Sequence, residues 1–162
     1  MRETSAAKPV SRASFSDIET ARRVLETEIA GLKALSAVLD ENFVKAIDTI
    51  QAMRDRGAGR LILAGIGKSG HVARKIAATL ASTATPSHYI HPGEASHGDL
   101  GMITEDDVII LLSNSGENAE LSDMIAYAKR FSIPLIAMTS NGESTLGRHA
   151  DIPLVMPKVP EA

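Results

Sequence analysis

Hydrophobic residues follow a helical spacing over the early part of the chain. Between positions 18 and 53 they recur every three or four residues, which places them on one face of an α-helix. Ser16 followed by Glu19 matches a capping box, in which each side chain bonds a free backbone N–H at a helix start. We therefore predict one long helix that begins at Ser16 and a second that ends near Gly57. The apolar positions are Ile18, Ala21, Leu25, Ile29, Leu32, Leu35 and Leu39, followed by Phe43, Ala46, Ile47, Ile50 and Met53.

After Gly59 the pattern changes to short apolar runs that alternate with helical stretches. Residues 60–66 form one such run, which is typical of a strand buried in a parallel sheet. Alternating strands and helices imply right-handed βαβ units. The prediction is an α/β fold, in which two helices precede a three-layer α/β/α arrangement with a doubly wound, five-stranded parallel sheet. Strands are predicted over residues 60–66, 87–91, 108–113, 134–138 and 152–156, and helices over 69–83, 119–131 and 144–149.

Length and composition fit one domain with a packed core. The chain has 162 residues, of which 44% are apolar and 23% are charged, so intrinsic disorder is disfavoured. Residues 1–15 are small and polar, and we expect them to form a disordered leader before a single domain at 16–162. There are no cysteines, which excludes disulfides and cysteine-based zinc sites.

Charge and hydropathy argue against several kinds of partner. The net charge of −3 gives no general attraction toward nucleic acid or an anionic membrane, and 3% aromatic residues are too few for base stacking. The longest apolar run, residues 108–112, is far shorter than the roughly 20 residues that span a bilayer. The first residues lack the apolar stretch of a signal peptide. We therefore expect a cytoplasmic protein without a nucleic-acid or membrane partner.

Four loops follow the carboxyl ends of predicted strands, where doubly wound sheets bind their ligands. They are residues 65–70, 91–101, 113–118 and 139–144. The first carries the pattern G-x-G-x-x-G, whose glycines let backbone N–H groups approach an anion at a helix N-terminus. A dinucleotide site would need an acid at the end of the next strand, which ends instead at His91. A P-loop is excluded because Ile62 stands where a glycine is needed, and the plainest alternative is a tight turn with a solvated Lys68.

The loop at 113–118 concentrates small hydrogen-bonding residues where the next helix is predicted to start. Its members are Ser113, Ser115, Gly116 and Asn118, and hydroxyl groups beside a helix N-terminus can bind a phosphate. The alternative is that Ser115 or Asn118 only caps the helix. One serine would be enough for capping, so the whole cluster favours an anion site.

The loop at 91–101 contains two histidines and two acids. His91 and His97 lack the regular helical spacing of a metal site, although imidazole and carboxylate are competent ligands. We favour one histidine for proton transfer, because the pKa of imidazole lies near neutrality. Glu117 and Glu120, in the region of the 113–118 loop, flank a predicted helix start. The helix macrodipole stabilises acids at that position, which is a sufficient explanation for either residue.

Three motifs, taken in order, resemble the sugar isomerase domain: GIGKSG between a strand and a helix, HPGEASHGDLGMI, and SNSGEN before a helix. They are similar in particular to the arabinose-5-phosphate isomerases of Gram-negative bacteria, and the resemblance covers about residues 17–162. It implies a flavodoxin-like strand order and an aldose–ketose isomerase that interconverts D-ribulose 5-phosphate and D-arabinose 5-phosphate through a cis-enediol. It also implies supply of the Kdo sugar of lipopolysaccharide, no cofactor, and self-association as a homotetramer.

The resemblance assigns the substrate phosphate to the 113–118 loop. Ser113, Ser115 and Gly116 would hold it, with help from Asn118. The family more often has serine or threonine at the position of Asn118, so the phosphate contacts of this chain are expected to differ slightly.

The resemblance places the sugar and the proton transfer elsewhere in the chain. The residues that would line the sugar are Gly67, Lys68 and Ser69, with Lys68 stabilising charge on the substrate oxygens. The candidates for general acid or base are His97, Glu120 and Glu161, and Glu161 and His97 rank above Glu120. No metal is required, although His91 and His97 could bind zinc adventitiously.

Family members continue beyond the position that matches Ala162, into a hydroxyl-rich segment, a further helix and another pocket histidine. Many also carry a pair of cystathionine-β-synthase-type regulatory domains. These parts are expected to lie outside the present 162 residues. An alternative function therefore stays open, namely a non-catalytic sugar-phosphate-binding module, because a fold does not fix an activity.

Overall fold

A computed structural model of the chain describes residues 16–161. The predicted leader at 1–15 lies outside the described residues, so the division into leader and domain stays a prediction. The helices are α1 (Asp17–Ala37), α2 (Glu41–Arg56), α3 (Lys68–Ser82), α4 (Pro92–Ala95), α5 (Ser122–Arg130) and α6 (Thr145–His149), with 3₁₀ turns at Asp99–Met102 and Ala119–Leu121. The strands are β1 (Leu61–Gly65), β2 (Ser87–Ile90), β3 (Val108–Leu112), β4 (Leu135–Thr139) and β5 (Ile152–Val155).

The strands form a single parallel sheet of five strands in the order β2-β1-β3-β4-β5. The predicted α/β class, the parallel sheet and its flavodoxin-like order are confirmed. Since β2 lies on one side of β1 and β3 on the other, the strand order reverses between β1 and β3. This switch point is where doubly wound folds bind ligands.

Two apolar layers enclose the sheet. On one face, side chains such as Ile62, Ile109 and Leu135 pack against α5. On the other face, Leu63 and Ile110 pack against α2 and α3. All residues of β1 and β3 are buried, which agrees with their continuous apolar runs. Burying each such side chain stabilises the fold by roughly 1.5–3 kcal/mol, so the central strands form a rigid base for the loops that follow them.

A buried carboxylate joins the amino-terminal ends of β1 and β3, at the end of the sheet opposite the switch-point loops. Asp107 has no exposed surface and accepts hydrogen bonds from the backbone N–H groups of Arg60 (2.7 Å) and Thr104 (2.8 Å). The Arg60 guanidinium also pairs with it at 3.1 Å. Asp107 therefore joins the starts of β1 and β3 and fixes their register.

The predicted long first helix is present, but it packs differently from the sheet helices. Its capping box is formed, with Ser16 Oγ accepting from Glu19 N–H at 3.2 Å and Glu19 Oε2 accepting from Ser16 N–H at 2.8 Å. No residue of α1 is buried, and Ile18 and Leu32 remain about two-thirds exposed, at 65% and 67%. The apolar face of α1 is thus uncovered within residues 16–161.

Two predicted segments differ in detail from the structure. The predicted helix 119–131 begins as a 3₁₀ turn and becomes α-helical only at Ser122. The loop at 91–101 contains α4 and a 3₁₀ turn, which are too short to produce a visible hydrophobic period. Other boundaries differ by one or two residues, as helix and strand ends commonly do. None of the helices in residues 16–161 combines the length and the apolar character that crossing a bilayer requires.

Candidate functional site

The candidate site lies at the carboxyl ends of β1 and β3. In the parallel register Gly65 pairs with Leu112, so the loops at 66–70 and 113–118 begin side by side. A Cβ on Gly65 would come within 2.9 Å of the Leu112 carbonyl oxygen and 3.1 Å of the Ser69 carbonyl carbon. Glycine is therefore needed here, because it allows the first turn of α3 to sit close to the end of β3.

The glycine loop after β1 leads directly into α3. Gly67 is the N-cap residue, with a φ of 57° that favours glycine, and a Cβ there would meet nothing within 4 Å. Lys68 and Ser69 form the first helical turn, and the Lys68 side chain is almost fully exposed. This loop presents a cation and a helix N-terminus at the carboxyl end of β1, the position at which doubly wound folds bind ligands.

The hydroxyl of Ser113 is used inside its own loop. Ser113 is 2% exposed, donates to Asn118 Oδ1 at 2.6 Å and accepts from the Gly116 N–H at 2.9 Å. Its single hydroxyl hydrogen is thus already engaged. In this arrangement Ser113 shapes the loop, whereas it was predicted as a direct phosphate ligand.

Ser115 is differently placed from Ser113, because its side chain is exposed at the mouth of the loop. Its Oγ accepts from the Glu117 N–H at 3.2 Å, and its hydroxyl hydrogen has no acceptor among residues 16–161. The backbone N–H groups of Ser115 and Asn118 also lack an acceptor within that range. Hydroxyl and amide donors without a protein acceptor can hold an oxyanion without a lysine or arginine.

The capping alternative for this loop is wrong. Asn118 occupies the N-cap position of the 3₁₀ turn, but its side chain makes no capping bond and accepts from Ser113 instead. Ser115 bonds only to the Glu117 N–H, before that turn begins. Neither side chain caps a helix, and both form hydrogen bonds within the 113–118 loop instead.

The loop after β4 and the start of α6 form hydrogen bonds to the backbone of the 113–118 loop. The Asn114 carbonyl accepts from Ser140 N–H (3.0 Å) and Ser140 Oγ (2.8 Å), and the Gly116 carbonyl accepts from Leu146 N–H (3.0 Å). Ser144 is fully buried against Gly116. These contacts hold the backbone of the 113–118 loop in one conformation.

Glu117 joins the 113–118 loop to Thr145, the first residue of α6. Its carboxylate accepts from the Thr145 N–H at 2.8 Å and from the Thr145 hydroxyl at 2.7 Å. Those bonds, the hydroxyl one first, lower the pKa of Glu117 below its ordinary value of 4.5. The macrodipole explanation for Glu117 is replaced by this specific partner. Thr145 could not be predicted as the partner of Glu117, since a residue 28 positions away gives no local signal.

The acid and base candidates are brought together only in part. Lys68 Nζ lies 3.9 Å from Glu161 Oε1, although both side chains are more than 90% exposed, so the ion pair is weak. Glu120 is exposed in the 3₁₀ turn after the 113–118 loop, and His97 is exposed after α4. Within residues 16–161 no ion pair joins either of them to Lys68.

Possible metal ligands are sparse in this part of the molecule. Across residues 16–161, no three His, Asp or Glu side chains converge on a point that could hold a metal ion. His91 Nδ1 accepts the Gly93 N–H at 3.1 Å, which leaves only Nε2 for a ligand. Zinc binding by His91 and His97 stays a prediction.

The family follows from a comparison with known domains. The model of the SIS domain matches residues 56–162, which include both the glycine loop and the 113–118 loop. The chain belongs to the SIS domain family. The motifs that suggested a sugar isomerase domain are therefore correctly assigned.

Several curated relatives of this SIS domain are named as isomerases. The chain is 50% identical over 137 residues to arabinose 5-phosphate isomerase KdsD of Pseudomonas aeruginosa, covering 85% of the chain and 41% of that protein. It is 48% identical to the KdsD of Yersinia pestis, covering 84% of the chain and 40% of that protein. The chain thus spans about two fifths of the length of these relatives.

Solved structures share the fold of this SIS domain. One is a protein of Escherichia coli CFT073 in complex with arabinose 5-phosphate, with a TM-score of 0.74 and 38% identity. The match covers 90% of this chain and 77% of that one. A phosphoheptose isomerase from Francisella tularensis has a TM-score of 0.72 at 17% identity, over 89% of this chain and 87% of its own, which shows a shared fold.

Proposed function

We propose that the chain is the sugar-binding and catalytic domain of an aldose–ketose isomerase that interconverts D-ribulose 5-phosphate and D-arabinose 5-phosphate. The observation that carries this proposal is the 113–118 loop, whose uncharged donors at the exposed Ser115 and Asn118 lack a protein acceptor and lie beside the Lys68 loop. It is supported by the KdsD relatives and by the arabinose 5-phosphate complex of a structural neighbour.

In this proposal the 113–118 loop binds the phosphate of the pentose. The Ser115 hydroxyl and the N–H groups of Ser115 and Asn118 donate to phosphate oxygens, and Gly116 lets the backbone approach closely. Ser113 acts indirectly, because its bonds to Asn118 and Gly116 hold the loop in shape. Uncharged donors suit a dianion that must also leave after each turnover.

The sugar portion is assigned to the neighbouring loop. Gly67 and Ser69 would line it, and Lys68 would stabilise the negative oxygen that develops when a carbonyl becomes an enediolate. Lys68 begins α3, so the helix N-terminus adds to the positive potential.

Proton transfer completes the proposed reaction. A base removes a proton from C1 of the ketose while the C2 oxygen gains a proton, which gives a cis-enediol. A proton then returns to C2 while the C1 hydroxyl loses its proton, which gives the aldose. Glu161 and His97 are the preferred bases and Glu120 the third candidate, with Glu161 favoured further by its position 3.9 Å from Lys68. The isomerisation moves protons within one carbon skeleton, so it requires no external oxidant or reductant.

The metabolic place and the assembly are inferred from the family resemblance. The product would supply Kdo for lipopolysaccharide, in the cytoplasm. The assembly would be a homotetramer, and the exposed apolar face of α1 supports self-association. Its members include Leu25, Ile29 and Leu32, which no other part of residues 16–161 covers.

The activity is tested by incubating the chain with ribulose 5-phosphate in D₂O and following the products by proton NMR. We expect arabinose 5-phosphate carrying deuterium at C2. Lys68→Met should lower the rate by about 100-fold or more, as removal of an electrostatic stabiliser does, while Lys33→Met serves as the control on α1. Substrate binding without conversion would favour the non-catalytic sugar-phosphate module instead, and absence of both binding and conversion would contradict the proposal.

A further inference from the structure

A cavity opens on the β2 side of β1, away from the 113–118 loop that follows β3. Its volume is about 290 Å³, at the small end of the range for pockets that hold small molecules. It lies where β1 and β2 end against the first turns of α3. The residues that line it are Gly67, Gly70, His71, Arg74, Tyr89 and His91.

Arg74 is positioned in this cavity by an aromatic ring. Its guanidinium carbon lies 3.9 Å from the centre of the Tyr89 ring, and the Tyr89 hydroxyl donates to the Gly65 carbonyl at 2.9 Å. The strand thereby fixes the ring, and the ring orients the guanidinium. Among residues 16–161 no carboxylate pairs with Arg74. A planar guanidinium held without an ionic partner retains the fork of N–H donors that matches carboxylate or phosphate.

The two histidines add donors to the same lining. His91 Nδ1 accepts the Gly93 N–H at 3.1 Å, so Nε2 carries the ring proton of the neutral imidazole. His71 lies on the α3 surface three positions before Arg74, on the same side of the helix. No aspartate or glutamate lines the cavity. The titratable lining is therefore composed of one permanent cation and two imidazoles.

We propose that this cavity binds a small oxyanion, a phosphate or a carboxylate group, at a site separate from the 113–118 loop. Arg74 supplies paired N–H donors, and His91 and His71 complete the set. Gly67 belongs both to this cavity and to the loop assigned to the sugar, so a bound anion would lie beside the start of α3, where Lys68 stands. Anion binding at this cavity does not depend on the isomerase activity proposed above.

The test is a titration of the ¹⁵N-labelled chain with inorganic phosphate, followed by amide NMR at constant ionic strength. Saturable shifts are expected at residues 67–71 and 91–93, separately from those at 113–118. A parallel titration with acetate distinguishes the source, since shifts with both ions indicate a general oxyanion site and shifts with one identify phosphate or carboxylate as the preferred group.

Variants of the lining residues test whether the amide shifts arise from anion binding in this cavity. Arg74→Met keeps the stem on the Tyr89 ring and removes the charge, and it should weaken binding at 67–71 at least tenfold while leaving the 113–118 shifts intact. His71→Gln should weaken it severalfold without disturbing the stacked pair. Arg130→Met is the matched control, because Arg130 also lies over a ring, that of Phe131 at 5.5 Å. Absence of saturable shifts at the cavity, or unchanged binding in Arg74→Met, would overturn the proposal.

Discussion

Gly116 is the residue on which the shape of the 113–118 loop depends most. Its φ of +72° is a left-handed conformation, and a Cβ there would overlap the buried Ser144 side chain. Gly57, which caps α2, has a φ of +70° but open space around it. The two glycines therefore separate the cost of backbone strain from the cost of steric overlap.

Replacing each glycine by alanine should give different losses of stability. Gly57→Ala is expected to lower the free energy of unfolding by about 1–2 kcal/mol, the usual cost of a left-handed non-glycine residue. Gly116→Ala should lower it by about 3 kcal/mol or more, because overlap with Ser144 adds to that strain. Urea denaturation of both variants measures the difference. Equal losses would show that the loop does not pack against Ser144 as described.

Glu117 gives a prediction about pH. Hydrogen bonds from the Thr145 hydroxyl and then the Thr145 N–H lower the pKa of Glu117 below 4.5. A carboxyl whose pKa is lower in the folded state stabilises the fold above its unfolded pKa, and this contribution disappears as the pH falls through the folded value. The clamp between the two loops should therefore weaken only in acid, below about pH 4.5.

A carboxyl NMR titration of Glu117 tests this clamp. In Thr145→Val the hydroxyl donor is lost while the side-chain shape is kept, so the pKa of Glu117 should rise toward its ordinary value. Thr49→Val is the control, because Thr49 donates to the Lys45 carbonyl within α2. A pKa of Glu117 that is the same in wild type and Thr145→Val would rule out the hydroxyl as its main cause.

The sequence singles out the 113–118 loop as a candidate site but does not distinguish the surroundings of its two serines. Ser113 and Ser115 are identical in type and two positions apart, yet one is buried and hydrogen-bonded internally and the other is exposed. The difference arises because Ser113 directly continues the buried strand β3. Such a distinction depends on three-dimensional burial, which residue identity does not encode.

At the scale of elements, Asp107 joins the starts of β1 and β3. Asp107→Ala should lower the free energy of unfolding by roughly 2–4 kcal/mol, because two backbone N–H groups and the Arg60 guanidinium lose the acceptor that the buried carboxylate supplies. The neighbouring Asp106→Ala should change it by less than about 0.5 kcal/mol, since Asp106 is exposed. Chemical denaturation of both variants provides the measurement, and similar losses for the two would contradict the assigned role of Asp107.

The elements were predictable in proportion to their length and burial. All five strands and the long helices follow from apolar runs and helical periods, because the two faces of the sheet are covered. The short helix α4 escaped prediction, since its four residues complete little more than one turn. The His91 ring caps it and Pro92 stands in its first turn. These two residues are compatible with a helix start, but without a following hydrophobic period they do not predict one.

For the whole molecule, α1 determines the expected assembly. Its exposed leucines and isoleucines form an apolar face beside a groove of about 460 Å³ that Leu32, Leu35 and Val159 help to line. Leu32→Glu should shift the chain from tetramers toward smaller species in sedimentation velocity, because a carboxylate would be buried in the interface. Lys33→Glu, one position away, is the charge control. A wild-type chain that sediments as a monomer at micromolar concentration would contradict self-association.

The fold of the whole molecule was more accessible from sequence than its assembly. The strand order came from a family resemblance carried by three loop motifs, and the SIS domain match and the parallel sheet agree with it. The helical period of α1 predicted an apolar face but not what covers it. That depends on surfaces that residues 16–161 of one chain do not supply.

The proposed function depends on recognition of a pentose phosphate by the 113–118 loop. Calorimetric titration of the chain with arabinose 5-phosphate and with arabinose tests it most directly. We expect binding of the phosphorylated sugar and none of arabinose at the same concentration. Ser115→Ala should weaken binding at least about tenfold, since a hydrogen bond to a charged group contributes roughly 1.5–3 kcal/mol, while Ser82→Ala at the far end of α3 should leave it unchanged. Equal binding of the two sugars, or wild-type affinity in Ser115→Ala, would contradict phosphate recognition by the 113–118 loop.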